Sequence, residues 1–448
     1  MVIVFALLAL TVLGVLVAAN RYLWQRLFRD TTRGPGRARR AGALVIAGGW
    51  TLAVGALVAE RAGAPFWLQR TLAWPGFLWL ALSIYLLIAV LAGEAVRPLL
   101  RRFLDRRADA AVAAPRRETV PATAPQADTR RADTAQAGTH RAGLPDSPAP
   151  ATSAVTAVSA TPAGSPGSDE ASVGLSRRLL VSRVVGGAAA AAAVGTVGYG
   201  TYGVLRGPRV KRVTVPLAKL PRAAHGYRIA VVSDIHLGPI LGRGFARTVV
   251  DTINSTQPDL IAVVGDLVDG SVKDLGPAAA PLAQLRARHG SFFVTGNHEY
   301  FSGAAQWVAE VRRLGLHPLE NARTEMPYFD LAGVNDLRGE SEGQGPDFAK
   351  ALDDRDPARA CVLMAHQPVQ IHQAVEYGVD LQLSGHTHGG QLWPGNFIAA
   401  EANPTVAGLE RYGDTQLYVS RGAGAWGPPT RVGAPSDITV IELASKQA

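Results

Sequence analysis

Long apolar runs separated by short arginine-rich stretches dominate the first hundred residues. Three runs carry no charged side chain and approach the roughly 20 apolar residues that cross a bilayer: Val2–Ala19, Ala41–Ala59 and Trp74–Gly93. A fourth run, Val184–Leu205, is richer in alanine and glycine but is also long enough. The pattern predicts an N-terminal α-helical membrane region. For the fourth run, an alanine-rich helix packed on a soluble domain stays open as an alternative.

The arginines between these runs predict an orientation. Those between the first two runs are Arg21, Arg26, Arg29, Arg33, Arg37, Arg39 and Arg40; the next loop has Arg61 and Arg70; after the third run come Arg97, Arg101, Arg102, Arg106 and Arg107. Because positive loops stay in the cytoplasm, the N-terminus is predicted to start outside. If the fourth run also crosses, everything after Arg206 is extracytoplasmic, and the protein is a multi-pass protein of the cell membrane. The basic residues that follow that run, from Arg206 to Arg212, oppose this orientation.

A change in composition separates the membrane region from the rest of the chain. Residues from about 105 to 175 are mostly Ala, Pro, Thr, Ser, Arg and Asp, a mixture with too few large apolar side chains to fold, which predicts a disordered linker. The predicted organisation is a three-helix membrane region (1–104), this linker (105–175), a fourth membrane helix (176–206) and a C-terminal domain (207–448).

The C-terminal domain alternates short apolar runs with segments of helical spacing. The runs YRIAVVSD, PDLIAVVGD, GSFFVTGN, ACVLMAH and VDLQLSGH each read as a buried strand that ends at a polar residue. FARTVVDTINST and GAAQWVAEVRRLG have helical spacing, and TQLYVSRG and PSDITVIEL are further strands. The predicted fold is α/β, a two-sheet sandwich flanked by helices, preceded by the membrane region.

Composition narrows the function classes only slightly. Hydrophobic residues make up 48% of the 448 residues, charged residues 18%, and the formal charge is +9. Much of the arginine flanks apolar runs, where membrane topology explains it, so no nucleic-acid partner is expected. The single cysteine, Cys361, excludes a disulfide within the chain and a cysteine-rich zinc site.

Candidate metal ligands stand at the ends of the predicted strands, where the sites of α/β sheets gather. Five of the ten histidines fall there, interleaved with carboxylates and an amide. The residues are Asp234, His236, Asp266, Asp269, Asn297, His298, Glu299, His366, His386 and His388. Imidazole, carboxylate and amide oxygen together suit Mn, Fe or Zn. Because one ion cannot use so many ligands, two divalent transition metal ions are predicted.

In this order, the blocks Asp234–His236, Gly265–Asp269, Gly296–Glu299, His366 and Gly385–His388 resemble the motif set of the calcineurin-like metallophosphoesterases. The resemblance covers roughly residues 213 to 445. The motif sequences SDIHLG, GDLVDG, HQP and SGHTHGGQ are most similar to those of a membrane-associated bacterial branch of the family. In addition, Ser176–Leu180 resembles the start of a twin-arginine export signal.

The resemblance implies a role for each residue. Asp234, His236 and His388 would hold one metal; Asn297, His366 and His386 would hold the other; Asp266 would bridge them. His298 would be catalytic, protonating the leaving oxygen or stabilising charge in the transition state. Asp269 would orient His298, with a helix cap as its alternative.

These roles imply a membrane-anchored, binuclear metal-dependent phosphoester hydrolase, in which a hydroxide between the metals attacks phosphorus. Phosphodiesters, phosphomonoesters and pyrophosphates are all possible substrates, including lipid- or envelope-linked ones such as UDP-diacylglucosamine. A nuclease on the same centre and a non-catalytic membrane receptor are the alternatives. Arg421 is a candidate phosphate contact, and Trp393 and Trp426 are candidates for an apolar groove.

Overall fold

The computed structural model describes residues 2–113 and 167–447. Its first helices are α1 (Val2–Trp24), α2 (Arg37–Arg61), α3 (Phe66–Ala113) and α4 (Gly167–Leu205), with a short π-helix, Gln25–Arg29, after α1. By length and composition, three helical spans among the described residues could cross a membrane: Arg37–Arg61, Phe66–Arg107 and Arg177–Leu205. A membrane-crossing role for Val2–Ala19 stays a prediction.

The predicted linker is described only at its two ends. Because α3 continues to Ala113 and α4 begins at Gly167, both ends of the range 105–175 are helical. The rest, residues 114–166, lies outside the described residues. The described chain divides into two compact units, Arg97–Val181 and a larger one formed by Met1–Val96 with Ser182–Ala448.

The larger unit contains a mixed α/β fold. Its strands are β1 (Arg209–Leu217), β2 (Tyr227–Val232), β3 (Leu260–Val264), β4 (Ser291–Val294), β5 (His317–Pro318), β6 (Ala322–Glu325), β7 (Asp330–Gly333), β8 (Cys361–Met364), β9 (Leu381–Ser384), β10 (Gly408–Tyr412), β11 (Thr415–Val419) and β12 (Asp437–Ser445). Its helices are α5 (Arg243–Ser255), α6 (Val272–Ala279), α7 (Asn297–Ser302), α8 (Ala304–Arg313), α9 (Phe348–Leu352), α10 (Ile371–Glu376) and α11 (Gly395–Ala402). Every strand and helix expected from the apolar runs is present.

Two six-stranded sheets organise the domain, in the orders β1-β12-β2-β3-β4-β5 and β10-β11-β9-β8-β7-β6. Strands β2 to β5 are parallel in the first sheet, and β7, β8, β9 and β11 are parallel in the second. Parallel strands place their carboxyl ends at one edge of a sheet, which is where the predicted ligands stand.

Alternating side chains of the strands pack into two different cores. In β2, Ile229 and Val231 face the space between the sheets, whereas Ala230 and Val232 face a second core that includes α5 and α8. The outer face of the second sheet packs on α9 and α10. This layering, helix–sheet–sheet–helix, confirms the predicted two-sheet sandwich.

Candidate metal centre

The loops after five parallel strands converge on one point. Asp234 and His236 follow β2, Asp266 and Asp269 follow β3, and Asn297 and His298 begin α7 just after β4. From the second sheet, His366 follows β8, and His386 and His388 follow β9. The structure therefore brings all nine predicted site residues together, although they come from positions up to 154 residues apart (388 minus 234).

Backbone strain is concentrated at this point. Eight described residues other than glycine have positive φ, and five of them are predicted ligands: Asp234, His236, Asp266, His386 and His388, with φ from 49° to 72°. A left-handed backbone costs a non-glycine residue about 1–3 kcal/mol. Such strain persists where the surrounding structure holds it, and it gathers at functional sites.

Two motif glycines are required because the loops approach one another closely. A Cβ at Gly385 would stand 2.5 Å from a carboxylate oxygen of Asp234. A Cβ at Gly296 would collide with the Asp266 carboxylate. Each glycine therefore makes room for a ligand that a different loop supplies.

The predicted ligands form two groups of potential metal-binding atoms. Asp234, His236 and His388 form one group, and Asp266, His366 and His386 form the other; within each, the ligand atoms lie within 4.8 Å of one another. Asn297 joins the second group, since its side-chain oxygen is 3.0 Å from Nδ1 of His386. His236, Asp269 and His298 form a third group by the same distance criterion, and the assignment of ligands to two ions stays a prediction.

The chemistry of these atoms fits bound cations. A backbone carbonyl only accepts, so the 2.9 Å contact with the oxygen of Val264 means that Nδ1 of His366 donates. Its Nε2 is buried, 3.1 Å from a carboxylate oxygen of Asp266; burial opposes the charged ring, but Asp266 raises the pKa of His366 well above its ordinary value. Burial, and the nearby charge of Asp266, raise the pKa of Asp234. The buried carboxylates thus already attract positive charge, and a divalent cation held between them and the imidazole nitrogens would take the place of the imidazole proton.

Asp269 is shared by two histidines. Its Oδ1 accepts from Nδ1 of His236 at 2.8 Å and from Nδ1 of His298 at 2.7 Å. Burial alone would raise the pKa of Asp269, but the two imidazoles outweigh it and lower the pKa to about 2. Likewise, burial opposes protonation of His298, yet its hydrogen bond to Asp269 raises the pKa to about 9. The geometry places the predicted orienting partner in contact with both rings.

Glu299 fastens two of the converging loops. Its fully buried carboxylate accepts from the backbone N–H groups of Asp266 (3.0 Å), Leu267 (2.8 Å) and Gly296 (2.6 Å). The loops after β3 and β4 are therefore held together by one side chain. The sequence marked Glu299 as part of a motif but gave it no role.

Arg431 supports His388 and was missed by the sequence analysis. Its buried guanidinium donates to the backbone oxygen of His388 at 3.0 Å, to Nδ1 of the same residue at 3.1 Å, and to the oxygen of Gly424 at 2.6 Å. Its backbone also packs on α4, where its N–H lies 3.4 Å from the oxygen of Gly200. No local pattern distinguishes this arginine from others, because its partners are distant in sequence.

A cavity of about 780 Å³ opens over the ligands, and one of its walls comes from α2, α3 and the turn between them. Glu60 and Arg61 at the end of α2, Gly63 in the turn, and Phe66 and Gln69 in α3 line it. On the catalytic side the lining residues are Asp266, Asp269, Gly270, Ser271, Asp274, Asn297, His298, Phe301, Ser302, His386, His388 and Trp426. The sequence analysis had assigned the α2–α3 turn to topology alone.

The remaining candidates have different surroundings. The ring of Trp426 lies 5.6 Å from that of His298, at the mouth of the cavity, as the predicted groove requires. Trp393 instead reaches α3, where its carbonyl accepts from the Tyr85 hydroxyl. The side chain of Arg421 lies against Gly389. A phosphate contact for Arg421 stays a prediction.

The two-sheet fold and the paired ligand groups at its strand ends define a metallophosphoesterase, and the sequence comparisons agree. A model of the calcineurin-like phosphoesterases matches residues 227–390. A metallophosphoesterase of Aquifex aeolicus, named as uncharacterized, is 34% identical over 243 residues, which are 53% of this chain and 92% of that protein. The chain belongs to the calcineurin-like metallophosphoesterase family.

Other relatives are named as transmembrane proteins. A transmembrane protein with metallophosphoesterase domain from Danio rerio is 39% identical over 265 residues, which cover 56% of this chain and 60% of that protein. The alignment thus spans less than two thirds of that relative. Among solved structures, a dimetal phosphatase from Danio rerio covers 48% of this chain at 12% identity and a TM-score of 0.32. Because animal and bacterial relatives both occur, membership of a bacterial twin-arginine branch stays a prediction.

Proposed function

We propose that the chain is a two-metal phosphoester hydrolase that acts on phosphodiesters or pyrophosphates carried by membrane lipids. One observation supports this substrate class above others. The cavity over the metal ligands has the catalytic residues on one side and the ends of two apolar helices, α2 and α3, on the other. A phosphate group that reaches the ligands therefore lies beside the membrane part of the protein.

Seven residues would hold the metals: Asp234, His236 and His388 one ion, Asn297, His366 and His386 the other, and Asp266 both. Mn, Fe or Zn fits these ligands. When bound, such ions neutralise the charge on the phosphoester and activate water for attack on phosphorus.

His298 supplies the proton for the leaving oxygen in this proposal. Asp269 occupies its Nδ1, so Nε2 is the nitrogen that remains to reach a substrate. The raised pKa, about 9, keeps the ring protonated at neutral pH. Asp269 acts through His298 and His236, and we therefore assign it a positioning role.

The charge of the cavity favours this function over the nuclease alternative. Of the residues lining it, four are carboxylates (Glu60, Asp266, Asp269 and Asp274), whereas Arg61 is the one arginine. A groove for a nucleic-acid strand carries many cations along its length. The absence of any substitution at the motif positions supports a hydrolase over the receptor alternative, because the proposed ligands and His298 are all retained in the sequence.

The membrane orientation is part of the proposal. Arg26 pairs with Glu94 at 3.1 Å, and Arg183 donates to the Thr31 carbonyl, far along the helices from the α2–α3 turn. The arginine-rich loop and the catalytic cavity thus belong to opposite ends of the helices. With that loop in the cytoplasm, the catalytic domain is extracytoplasmic. The test is a reporter protein that is active only in the cytoplasm, fused to the C-terminus. Activity of this fusion would contradict the proposed orientation.

The test uses full-length protein in lipid nanodiscs, stripped with a chelator and reloaded with Mn²⁺, Fe²⁺ or Zn²⁺. We expect hydrolysis of bis(p-nitrophenyl) phosphate to vanish on stripping and to return with two ions per chain. Activity that survives stripping, or that no ion restores, would refute the metal-dependent hydrolase.

A pair of variants tests the lipid substrate separately. Phe66 lines the cavity, whereas its neighbour Trp67 is 69% exposed and is not among the lining residues. Phe66→Ala should raise KM for phosphatidylglycerol in mixed vesicles and leave the soluble diester unchanged, with Trp67→Ala as the matched control. Equal effects of Phe66→Ala on both substrates would remove the support for a lipid substrate.

A further inference from the structure

An uncharged segment of the catalytic domain, Leu392–Ala400, follows the metal-ligand loop directly. Its sequence is LWPGNFIAA, and it includes most of α11. It begins four residues after His388. Phe397 is 63% exposed and Ile398 76%, so these two side chains point away from the domain, and the exposed Glu401 follows on the same helix.

The segment contacts α3 and α4 at a point far from the ends of the charge-free part of α3. The hydroxyl of Tyr85 in α3 donates to the carbonyl of Trp393 at 2.9 Å. Leu392 packs against a cluster formed by α3 and α4, which includes Ala81 and Ala189.

The position of Tyr85 along α3 gives the depth of this contact. The charge-free part of α3 runs from residue 71 to residue 93, so Tyr85 lies fourteen residues after its start and eight before its end. At about 1.5 Å per residue, these separations are about 21 Å and about 12 Å. A hydrocarbon core of about 30 Å that is spanned by this part of α3 would therefore contain the contact.

We propose that Leu392–Ala400 enters the lipid bilayer and places Phe397 and Ile398 in its hydrocarbon. Two independent observations support the insertion of this segment into lipid. The segment touches α3 at the level where lipid surrounds that helix, and its exposed side chains are of the kind that lipid solvates. The catalytic domain is then attached to the membrane by a reentrant loop beside its metal centre, in addition to its helices.

Site-specific labelling tests this directly, since Cys361 is the only cysteine and is fully buried. In a Cys361→Ala background, Phe397→Cys and Ile398→Cys are labelled with an environment-sensitive fluorophore in full-length protein reconstituted into phosphatidylcholine–phosphatidylglycerol vesicles. Glu325→Cys is the matched control, because the Glu325 side chain is 70% exposed on β6.

We expect blue-shifted emission at 397 and 398, strong quenching by lipids with a nitroxide on the acyl chain, and at least fivefold weaker quenching by iodide than at 325. Iodide quenching equal to that at 325 would overturn the proposal. Protection from iodide without quenching by the lipid nitroxide would overturn it too, since a protein contact would then cover the segment. The readout is independent of hydrolysis, so it stands apart from the proposed activity.

Discussion

Replacing Gly200 with alanine is expected to weaken the metal centre, although Gly200 lies in α4, outside the catalytic domain. A Cβ at this position would stand 2.7 Å from the Arg431 carbonyl oxygen and 2.8 Å from the Thr430 methyl carbon. Contacts this short require α4 and residues 430–431 to move apart. Arg431 would then lose its fixed position against His388.

The size of the effect follows from packing costs. Overpacking costs about 1–3 kcal/mol, partly offset by the roughly 1 kcal/mol that alanine gains over glycine in a helix. Gly200→Ala should therefore destabilise the protein by up to about 2 kcal/mol. Loosening the partner of a metal ligand lowers metal affinity about 10–100-fold. Gly200→Leu should have a larger effect on both quantities.

Gly198 gives the matched control, because a Cβ there meets nothing within 4 Å. Gly198→Ala should be neutral or slightly stabilising. The assay compares apparent melting temperature and Mn²⁺ affinity, by competition with a fluorescent chelator, for the two alanine and the two leucine variants. Equal behaviour at both positions would refute the packing argument. A lower melting temperature with unchanged Mn²⁺ affinity would show that the displacement at Gly200 does not reach His388, and would refute that part of the argument.

Three further predictions concern the centre itself. Asp266→Asn should lower Mn²⁺ affinity more than 100-fold, since loss of a ligand exceeds loss of a supporting partner, whereas Asp274→Asn in the same cavity should retain both ions by elemental analysis. Glu299→Gln turns an amide N–H₂ toward backbone donors and should lower the free energy of unfolding by about 2–4 kcal/mol. An unchanged free energy of unfolding would contradict the role of Glu299 in holding the two loops together. Because Asp269 raises the His298 pKa from 6.5 to about 9, that pair stabilises the metal-free protein fully below pH 6.5, and this contribution is lost as pH rises through about 9. His298→Gln should therefore destabilise it more at pH 6 than at pH 9.5, and a pH-independent difference would contradict this.

The sequence predicted those parts of the centre that follow from strand periodicity and local motifs. Asp234 and His386 could be placed together because buried parallel strands end at one edge and a polar residue marks each end. Arg431 could not be predicted, since its role depends on which carbonyls the folded chain brings to its guanidinium. The same holds for Phe66, whose place in the cavity depends on how helices and domain pack.

The wall that α2 and α3 contribute to the cavity has a practical consequence for handling the protein. A soluble version cut at the start of β1 would keep the strand-end ligands but expose the catalytic pocket to bulk water on the side that Glu60 to Gln69 now cover. It would also lack the Gly200 surface that backs Arg431. Attaching such a fragment to a foreign anchor would rebuild neither feature, so α2, α3 and α4 contribute to the structure around the candidate metal centre.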